Sequence, residues 1–294
     1  MRQLSITLPG SQHKGNIMKM PVPIENQQLN SPFRYAGGKF YARKLILPLI
    51  PPHDVYVEPF CGGASIFFAK SKSHRNILND LDEQLIECFL HIRDKPEELI
   101  RRLNGQEATK ERHAYYKNTY RPRTELDRAV RWYYLNRTSY SGIMKAANCF
   151  FGYGDKFSMR PENWPRSIRK TSEKLAKVKL TNHDFVKCIN ESPDDSFLFI
   201  DPPYYRADQN KFYTCSFSLQ DHLKLAQCLR KNQKRVKFML TYDDCPEVRE
   251  LYSWVKNVRN AEWNYTINRT DDQKTGKIRK GERYLGQELF IMNY

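Results

Sequence analysis

Residues Ser196 to Tyr205 read SFLFIDPPYY, an apolar run of strand length stopped by Asp-Pro-Pro-Tyr. Phe197, Leu198, Phe199 and Ile200 are aromatic or branched, and Pro193 with two aspartates precedes them. This pattern predicts a fully buried parallel strand. In an open α/β sheet, ligands bind beyond the carboxyl ends of the strands, which makes Asp201 to Tyr204 a candidate site. Two consecutive prolines fix φ and remove two backbone donors, so the turn is stiff and its carbonyl acceptors are held still. Asp201 adds a carboxylate and Tyr204 a flat π-face. Together they suit a planar ring bearing an amino group, stacked on Tyr204 and donating its NH2 hydrogens to Asp201 and the carbonyl of Pro202. Two acceptors on that amine localise its lone pair and take up positive charge developing on nitrogen. Four residues alone leave open a plainer reading, a strand that ends in a Pro-rich turn with a capping aspartate.

The neighbouring stretches extend the sheet. Downstream, Ser218 to Leu229 has helical amphipathicity, and Val236 to Thr241 reads as a buried strand ending in Tyr242-Asp243-Asp244. Trp254 to Ile267 with Glu288 to Asn293 reads as a closing hairpin. Upstream, Lys177 to Asp184 alternates as a strand and ends in His183-Asp184-Phe185. Asp54 to Glu58 reads as the first central strand, Pro59 to Ser65 as a Gly-rich loop and Ile66 to Ala69 as an apolar helix. Strand, Gly-rich loop and helix form the nucleotide-binding turn of a doubly wound sheet. Asp80 stands 22 residues beyond Glu58, after a second strand Asn76 to Asn79, where such folds keep the acid that takes ribose hydroxyls. These features fit either a dinucleotide or an adenosyl cofactor. Ahead of them, Ser31 to Lys39 (SPFRYAGGK) leads into a helical pattern from Phe40 to Leu49, stopped by Pro51-Pro52. A Gly-Gly pair opening a helix brings backbone N–H groups toward an anion, with Lys39 as a fixed positive charge. It is not a Walker A loop, since Phe33 and Phe40 stand where Gly and Ser or Thr belong; a simple Gly-rich turn is the alternative.

Composition favours a polyanionic partner. The 294 residues carry 49 Lys+Arg against 33 Asp+Glu, a net +16, which points to nucleic acid before a membrane surface. From Glu83 to about Lys170 helical stretches (Glu83 to Ile92, Pro96 to Leu103, Glu125 to Leu135) replace strands, so a helical insertion interrupts the sheet. Between Lys110 and Lys170, 14 Lys+Arg stand against 5 Asp+Glu, a net +9, among twelve aromatics. With a hairpin signal at Gly142, Gly152 and Gly154, this suits a nucleic-acid-reading surface; a solvated basic face over an aromatic core is the alternative. The expected division is a flexible tail (1–28), a catalytic domain (29–83 and 171–294) and a recognition insertion (84–170). The expected fold class is α/β, a Rossmann-like sheet with helices on both faces, interrupted by a mainly helical insertion with a hairpin. Seven cysteines stand singly with no CxxC pair, which suits a reducing cytoplasm. Neither they nor the seven histidines are spaced as metal ligands, and no run approaches bilayer length, so a soluble protein is expected.

Taken in order, RYAGGK, EPFCGG, LNDLD, the insertion, HDF and DPPY resemble the motifs of Dam-like DNA adenine N6-methyltransferases (D12 class, alpha group), over roughly Ser31 to Tyr294. The resemblance implies a methyltransferase fold, S-adenosylmethionine as cofactor and a specific double-stranded DNA sequence as substrate. It implies Tyr35, Ala36 and Lys39 at the cofactor's methionine end, Glu58, Phe60, Gly62 and Gly63 around its main loop, Asp80 at its ribose, and Asp184 and Phe185 at its adenine. Asp201, Pro202 and Tyr204 are implied as the catalytic grip on the target adenine, with Asp201 also bordering the cofactor. Because that adenine lies inside the stack, it must be extruded into the pocket. Asn136 and Arg137, in LNRTSYSG, are expected at DNA phosphates or the target site, with Ser141, Lys145 and Lys156 completing the DNA-facing set. Such enzymes are bacterial or phage-encoded and cytoplasmic, some with a cognate restriction endonuclease. Two departures stand out: Ala64 replaces the last glycine of the fuller loop pattern, and Met144 to Pro161 differs from the form linked to GATC. Rival readings are adenine methylation of RNA, N4-cytosine methylation, an NAD-dependent oxidoreductase, and a DNA-binding module with a relic cofactor fold.

Overall fold

Alternation along the DPPY strand places it between two cores. In the computed structural model, which describes residues 26–154, 158–207, 214–264 and 285–294, Phe197–Ile200 forms a strand buried at every position. Phe197 and Phe199 face one core cluster, Leu198 and Ile200 the other, as the two-residue period of a strand requires. Numbered in chain order, the strands are β1 (Val55–Glu58), β2 (Arg75–Asn79), β3 (Lys179–Thr181), β4 (Phe197–Ile200), β5 (Lys237–Asp243), β6 (Asn257–Asn264) and β7 (Leu285–Met292). They form one sheet of order β3-β2-β1-β4-β5-β7-β6. β1 to β5 are parallel, and β7 runs antiparallel between β5 and β6. Strand order reverses between β1 and β4, so the loops leaving them diverge and open the crevice where such sheets bind ligands.

The helices are α1 (Arg43–Ile46), α2 (Ser65–Ala69), α3 (Glu83–Asp94), α4 (Pro96–Leu103), α5 (Lys110–Ala114), α6 (Glu125–Thr138), α7 (Trp164–Leu175), α8 (Phe185–Asn190), α9 (Leu219–Asn232) and α10 (Pro246–Leu251). Helices α8 to α10 cover one face; α2, α3, α6 and α7 pack on the other. The insertion between β2 and β3 shares its core with the sheet: Trp132, Tyr133 and Trp164 cluster with Phe33, Phe67, Phe68 and Phe89. Five of the aromatics between Lys110 and Lys170 (Tyr116, Trp132, Tyr133, Tyr134 and Trp164) are therefore core, while Tyr115, Tyr140 and Phe150 are exposed.

Several expected boundaries move, each for a local reason. β3 stops at Thr181 rather than Asp184, because His183 N–H turns to Asn79 Oδ1 (2.9 Å) and the Asp184 carboxylate caps α8 at Val186 N–H (2.8 Å). The helical pattern from Phe40 to Leu49 condenses to α1 and a 3₁₀ turn, Leu47–Leu49, around Pro48. α6 continues past Leu135 to Thr138. The expected recognition hairpin is reduced to a loop closed by a single antiparallel bridge, Ser139 opposite Phe151: Tyr140 N–H bonds Phe150 C=O at 2.8 Å and Gly152 N–H bonds Thr138 C=O at 2.9 Å. Within that loop, positive φ at Ser141 (52°) and Gly142 (73°) leaves the extended region that pairing demands. The closing hairpin is present as β6 and β7, with residues 265–267 outside the described residues. Of the expected tail, 1–25 lies outside them, but Gln27 belongs to the fold, because the fully buried Lys174 amine donates to its carbonyl (3.1 Å) and to that of Lys70 (2.7 Å).

Candidate active site

The crevice at the β1/β4 switch point is a cavity of about 900 Å³, at the upper end of the range for small-molecule sites. Asp201 leaves the end of β4 into it. Its Oδ1 accepts from the Thr241 hydroxyl on β5 (2.7 Å), and the Lys39 amine grips both carboxylate oxygens at 2.7 and 2.8 Å. Lys39 is 4 % exposed. Burial works against its charge, but Asp201 and Glu288 outweigh that effect and raise its pKa. The amine also donates to Gly37 C=O (3.1 Å) and stands 4.9 Å from the centre of the Tyr204 ring. Segment 34–39 thus reaches the end of β4 from more than 160 residues away in the chain.

The turn beyond Asp201 is held from β5 and β7. The Asp243 carboxylate accepts from the backbone N–H groups of Tyr205 and Arg206, both at 2.9 Å. Tyr204 donates its hydroxyl to Glu288 of β7 and packs 5.9 Å from the Tyr242 ring.

The loop after β1 shapes the other half of the cavity. Gly62 has φ +46°, and a Cβ there would stand 2.7 Å from the Tyr35 ring, so only glycine lets that ring lie against the loop. Ala64, where the fuller pattern has glycine, adopts the left-handed region (φ 51°, ψ 39°), at a cost of about 1–2 kcal/mol for a residue with a Cβ. The loop conformation is thus kept and the departure appears as strain. Glu58, at the end of β1, accepts from the Tyr56 hydroxyl (2.6 Å) and Phe67 N–H (2.9 Å) through one oxygen. Burial, reinforced by the Asp201 charge, pushes its pKa from 4.5 to about 8 despite those bonds. Asp80 accepts from Gly62 N–H (2.8 Å) and Asp82 N–H (3.0 Å), and burial raises its pKa to about 6. It therefore fixes the Gly-rich loop as well as facing the cavity. Phe185 stacks on Phe60 at 5.3 Å, with Phe217 edge-on to Phe60 at 5.6 Å. Tyr35, Ala36, Lys39, Glu58, Phe60, Gly62, Gly63, Asp80, Asp184, Phe185, Asp201, Pro202 and Tyr204 all border this one cavity.

The expected DNA contacts divide differently. Asn136 is fully buried and clamps Arg34, accepting from its N–H (3.0 Å) and donating to its C=O (2.8 Å). Arg137 is 5 % exposed and donates to Pro32 C=O at 3.2 Å. Phosphate contact by these two is therefore corrected: the extra turn of α6 carries them inward against segment 32–34, where they hold the site from behind. Arg34 itself clasps the loop, donating to the carbonyls of Ser139 (3.0 Å) and Gly152 (3.4 Å). Ser141 and Lys145 lie partly exposed on that loop; Lys156 lies outside the described residues. Sequence reasoning missed Thr241, Arg34 and Glu288. Only Glu288 left a signal, a lone acid ahead of the apolar run Leu289-Phe290-Ile291-Met292. Among the described residues, no group of three or more His, Cys, Asp and Glu is arranged to hold a metal ion, and no helix is long and apolar enough to cross a membrane.

Comparison with known proteins gives the family of the chain. The chain is similar to the type II methyltransferase M1.LlaDCHI of Lactococcus lactis subsp. cremoris, at 26% identity over 92% of this chain and 98% of that protein. It is similar to the type II methyltransferase M.CviBI of Paramecium bursaria Chlorella virus NC1A, at 27% identity over 74% of this chain and 85% of that protein. The DNA adenine methylase of Salmonella typhi is 27% identical over 76% of this chain and 84% of that protein. The family pattern of the D12 class matches residues 35–267, from the segment that carries Lys39 into the segment after β6. The chain belongs to the D12 class of N6 adenine-specific DNA methyltransferases.

Proposed function

We propose that the cavity seats S-adenosylmethionine along the loop after β1 and the target adenine against Asp201 to Tyr204, for the N6-adenine methylation of DNA that defines the family. The residues present fit such a cofactor: a loop preorganised by Gly62 and strained at Ala64, a carboxylate at Asp80, and an aromatic wall of Phe60, Phe185 and Phe217. Bound there, the cofactor supplies an electrophilic methyl group on a positively charged sulfur. Tyr35, Ala36 and Lys39 close its methionine end, Glu58, Phe60, Gly62 and Gly63 wrap it, Asp80 takes the ribose hydroxyls, and Asp184 with Phe185 borders its adenine.

The chemistry of the chain is to hold an amine. Asp201 and the Pro202 carbonyl accept the N6 hydrogens, which localises the nitrogen lone pair and offsets the positive charge it acquires. Tyr204 stacks on the ring of the base turned out of the helix, an extrusion that costs a few kcal/mol. Lys39 and Thr241 fix the Asp201 carboxylate from two sides. This bonded arrangement at the end of β4 is the observation that carries the assignment.

Residues 84–170 serve as the recognition part, with Ser141 and Lys145 on its closed loop facing double-stranded DNA, and residues 29–83 and 171–294 as the catalytic part. The enzyme acts in the cytoplasm of a bacterium or of a phage-infected host. A cognate endonuclease would place it in restriction–modification, as the type II names of two relatives suggest. The test is incubation with genomic DNA lacking adenine modification, then sequencing that detects modified bases. N6-methyladenine at one recurring sequence is expected; unmodified DNA, or N4-methylcytosine, would overturn the assignment.

A further inference from the structure

Glu288 is a carboxylate 1 % exposed, on a strand whose following residues, Leu289 to Met292, are all buried and apolar. Burying an acid there is costly unless it is bonded. A second cost is visible in the register, since Glu288 pairs directly with Asp243 across β5 and β7, and like charges directly opposite each other destabilise a sheet. Both acids are turned toward the same short turn. Asp243 takes the N–H groups of Tyr205 and Arg206, and Glu288 takes the Tyr204 hydroxyl. Glu288 does not border the cavity itself; it stands behind the tyrosine.

We propose that Glu288 is a positioning residue for the target base: by accepting the Tyr204 hydroxyl it sets the plane of the ring on which the extruded adenine stacks. A tyrosine side chain has two free torsions, and stacking constrains the ring only after a base has arrived. The Tyr242 ring at 5.9 Å packs beside Tyr204 but does not fix its hydroxyl end. A hydrogen bond at the ring's far end removes that freedom beforehand. Preorganisation of this kind raises the occupancy of the flipped state and the rate at which the held amine reacts. The role needs an acceptor at position 288 and a hydroxyl at position 204, and each can be removed separately.

This inference rests on the assignment of Tyr204 as the stacking wall. Once the genomic assay has given the recognition sequence, an oligonucleotide carrying 2-aminopurine at the target adenine reports extrusion by its fluorescence. Single-turnover methylation of the unmodified oligonucleotide reports the chemistry. Tyr204→Phe and Glu288→Leu should each lower the single-turnover rate about 10- to 100-fold, the worth of a hydrogen bond to a charged group, and each should reduce the fluorescence rise while cofactor-analogue affinity stays unchanged. Glu288→Gln retains an acceptor and should lie within about tenfold of wild type, in keeping with a neutral hydrogen bond. The double variant Tyr204→Phe with Glu288→Leu should be no slower than the worse single variant beyond about twofold, because the hydrogen bond between the two side chains is lost in either single variant. Losses that multiply, an unimpaired Tyr204→Phe, or a Gln variant no better than Leu would each overturn the proposal. If Glu288→Leu does not fold, Tyr204→Phe and Glu288→Gln decide it alone. A wild-type protein that methylates no adenine would instead defeat the functional assignment itself.

Discussion

Replacing Glu58 by glutamine tests the electrostatics of the site through the stability of the whole fold. Glu58 is buried, and its pKa rises from 4.5 to about 8, chiefly because burial disfavours the ionised form. An acid whose folded-state pKa is raised binds its proton more tightly when folded, so between pH 4.5 and about 8 the folded chain holds more protons than the unfolded one. Stability must then fall as pH rises through that window, by about 1.4 kcal/mol per unit at most. The ceiling across the window is about 5 kcal/mol, comparable with the whole stability of a small domain. Glutamine has nearly the same volume, and its carbonyl oxygen can accept from the Tyr56 hydroxyl and Phe67 N–H, which both use one oxygen of Glu58. The hydrogen bonds survive and the titration does not. Urea unfolding of both proteins at pH 5, 6.5, 8 and 9 should show wild type losing about 2–4 kcal/mol relative to the variant from pH 5 to 8, with little further change above. Parallel profiles, or a wild type that gains on the variant as pH rises, would refute the assignment of Glu58 as a neutral buried acid at pH 7.

Three further outcomes are expected. Asp201→Ala should lower single-turnover methylation by about 100-fold or more, as loss of a preorganised charge-stabilising group does, and should also lower the melting temperature because Lys39 is left buried without its partner; turnover within tenfold of wild type would remove Asp201 from the chemistry. Asn136→Ala leaves both backbone groups of Arg34 without their partner, so it should cost about 1–3 kcal/mol in urea unfolding while leaving the salt dependence of DNA binding unchanged; a slope shallower by about one unit would mean that Asn136 supports a phosphate contact after all. Exchanging residues 141–155 for those of a relative should change the sequence that is methylated and keep adenine as the target, because about 1–3 kcal/mol of discrimination per base pair comes from groove contacts; an active chimaera with the original preference would place recognition elsewhere.

The chain announced its sheet more clearly than its contacts. β4 was legible because four apolar residues stand between helix-breaking and strand-breaking neighbours, and its bounds are as expected, Phe197–Ile200. The residues that line the cavity around the loop after β1 were legible because glycines, acids and strand ends recur at fixed offsets. The burial of Asn136 and Arg137 was not legible, since an amide and a guanidinium suit phosphate or buried carbonyls equally well and burial follows from one extra helical turn. Twelve aromatics among basic residues suggested a reading surface, yet their spacing could not tell a ring that faces Phe33 from one that faces solvent. Thr241 and Glu288 lie 40 and 84 residues from their partners, and no local pattern records a contact made across neighbouring strands.

β7 has a consequence for how the protein can be shortened or tagged. It supplies every ladder bond between β5 and β6, which do not touch each other in the sheet order. A chain cut before residue 285 would leave β5, buried over Phe238–Tyr242, with an open hydrogen-bonding edge, and β6 with no partner among the described strands. A bare edge of that composition is a template for pairing with another copy. Such fragments should therefore collect as insoluble aggregate instead of surviving as soluble protein that has merely lost activity.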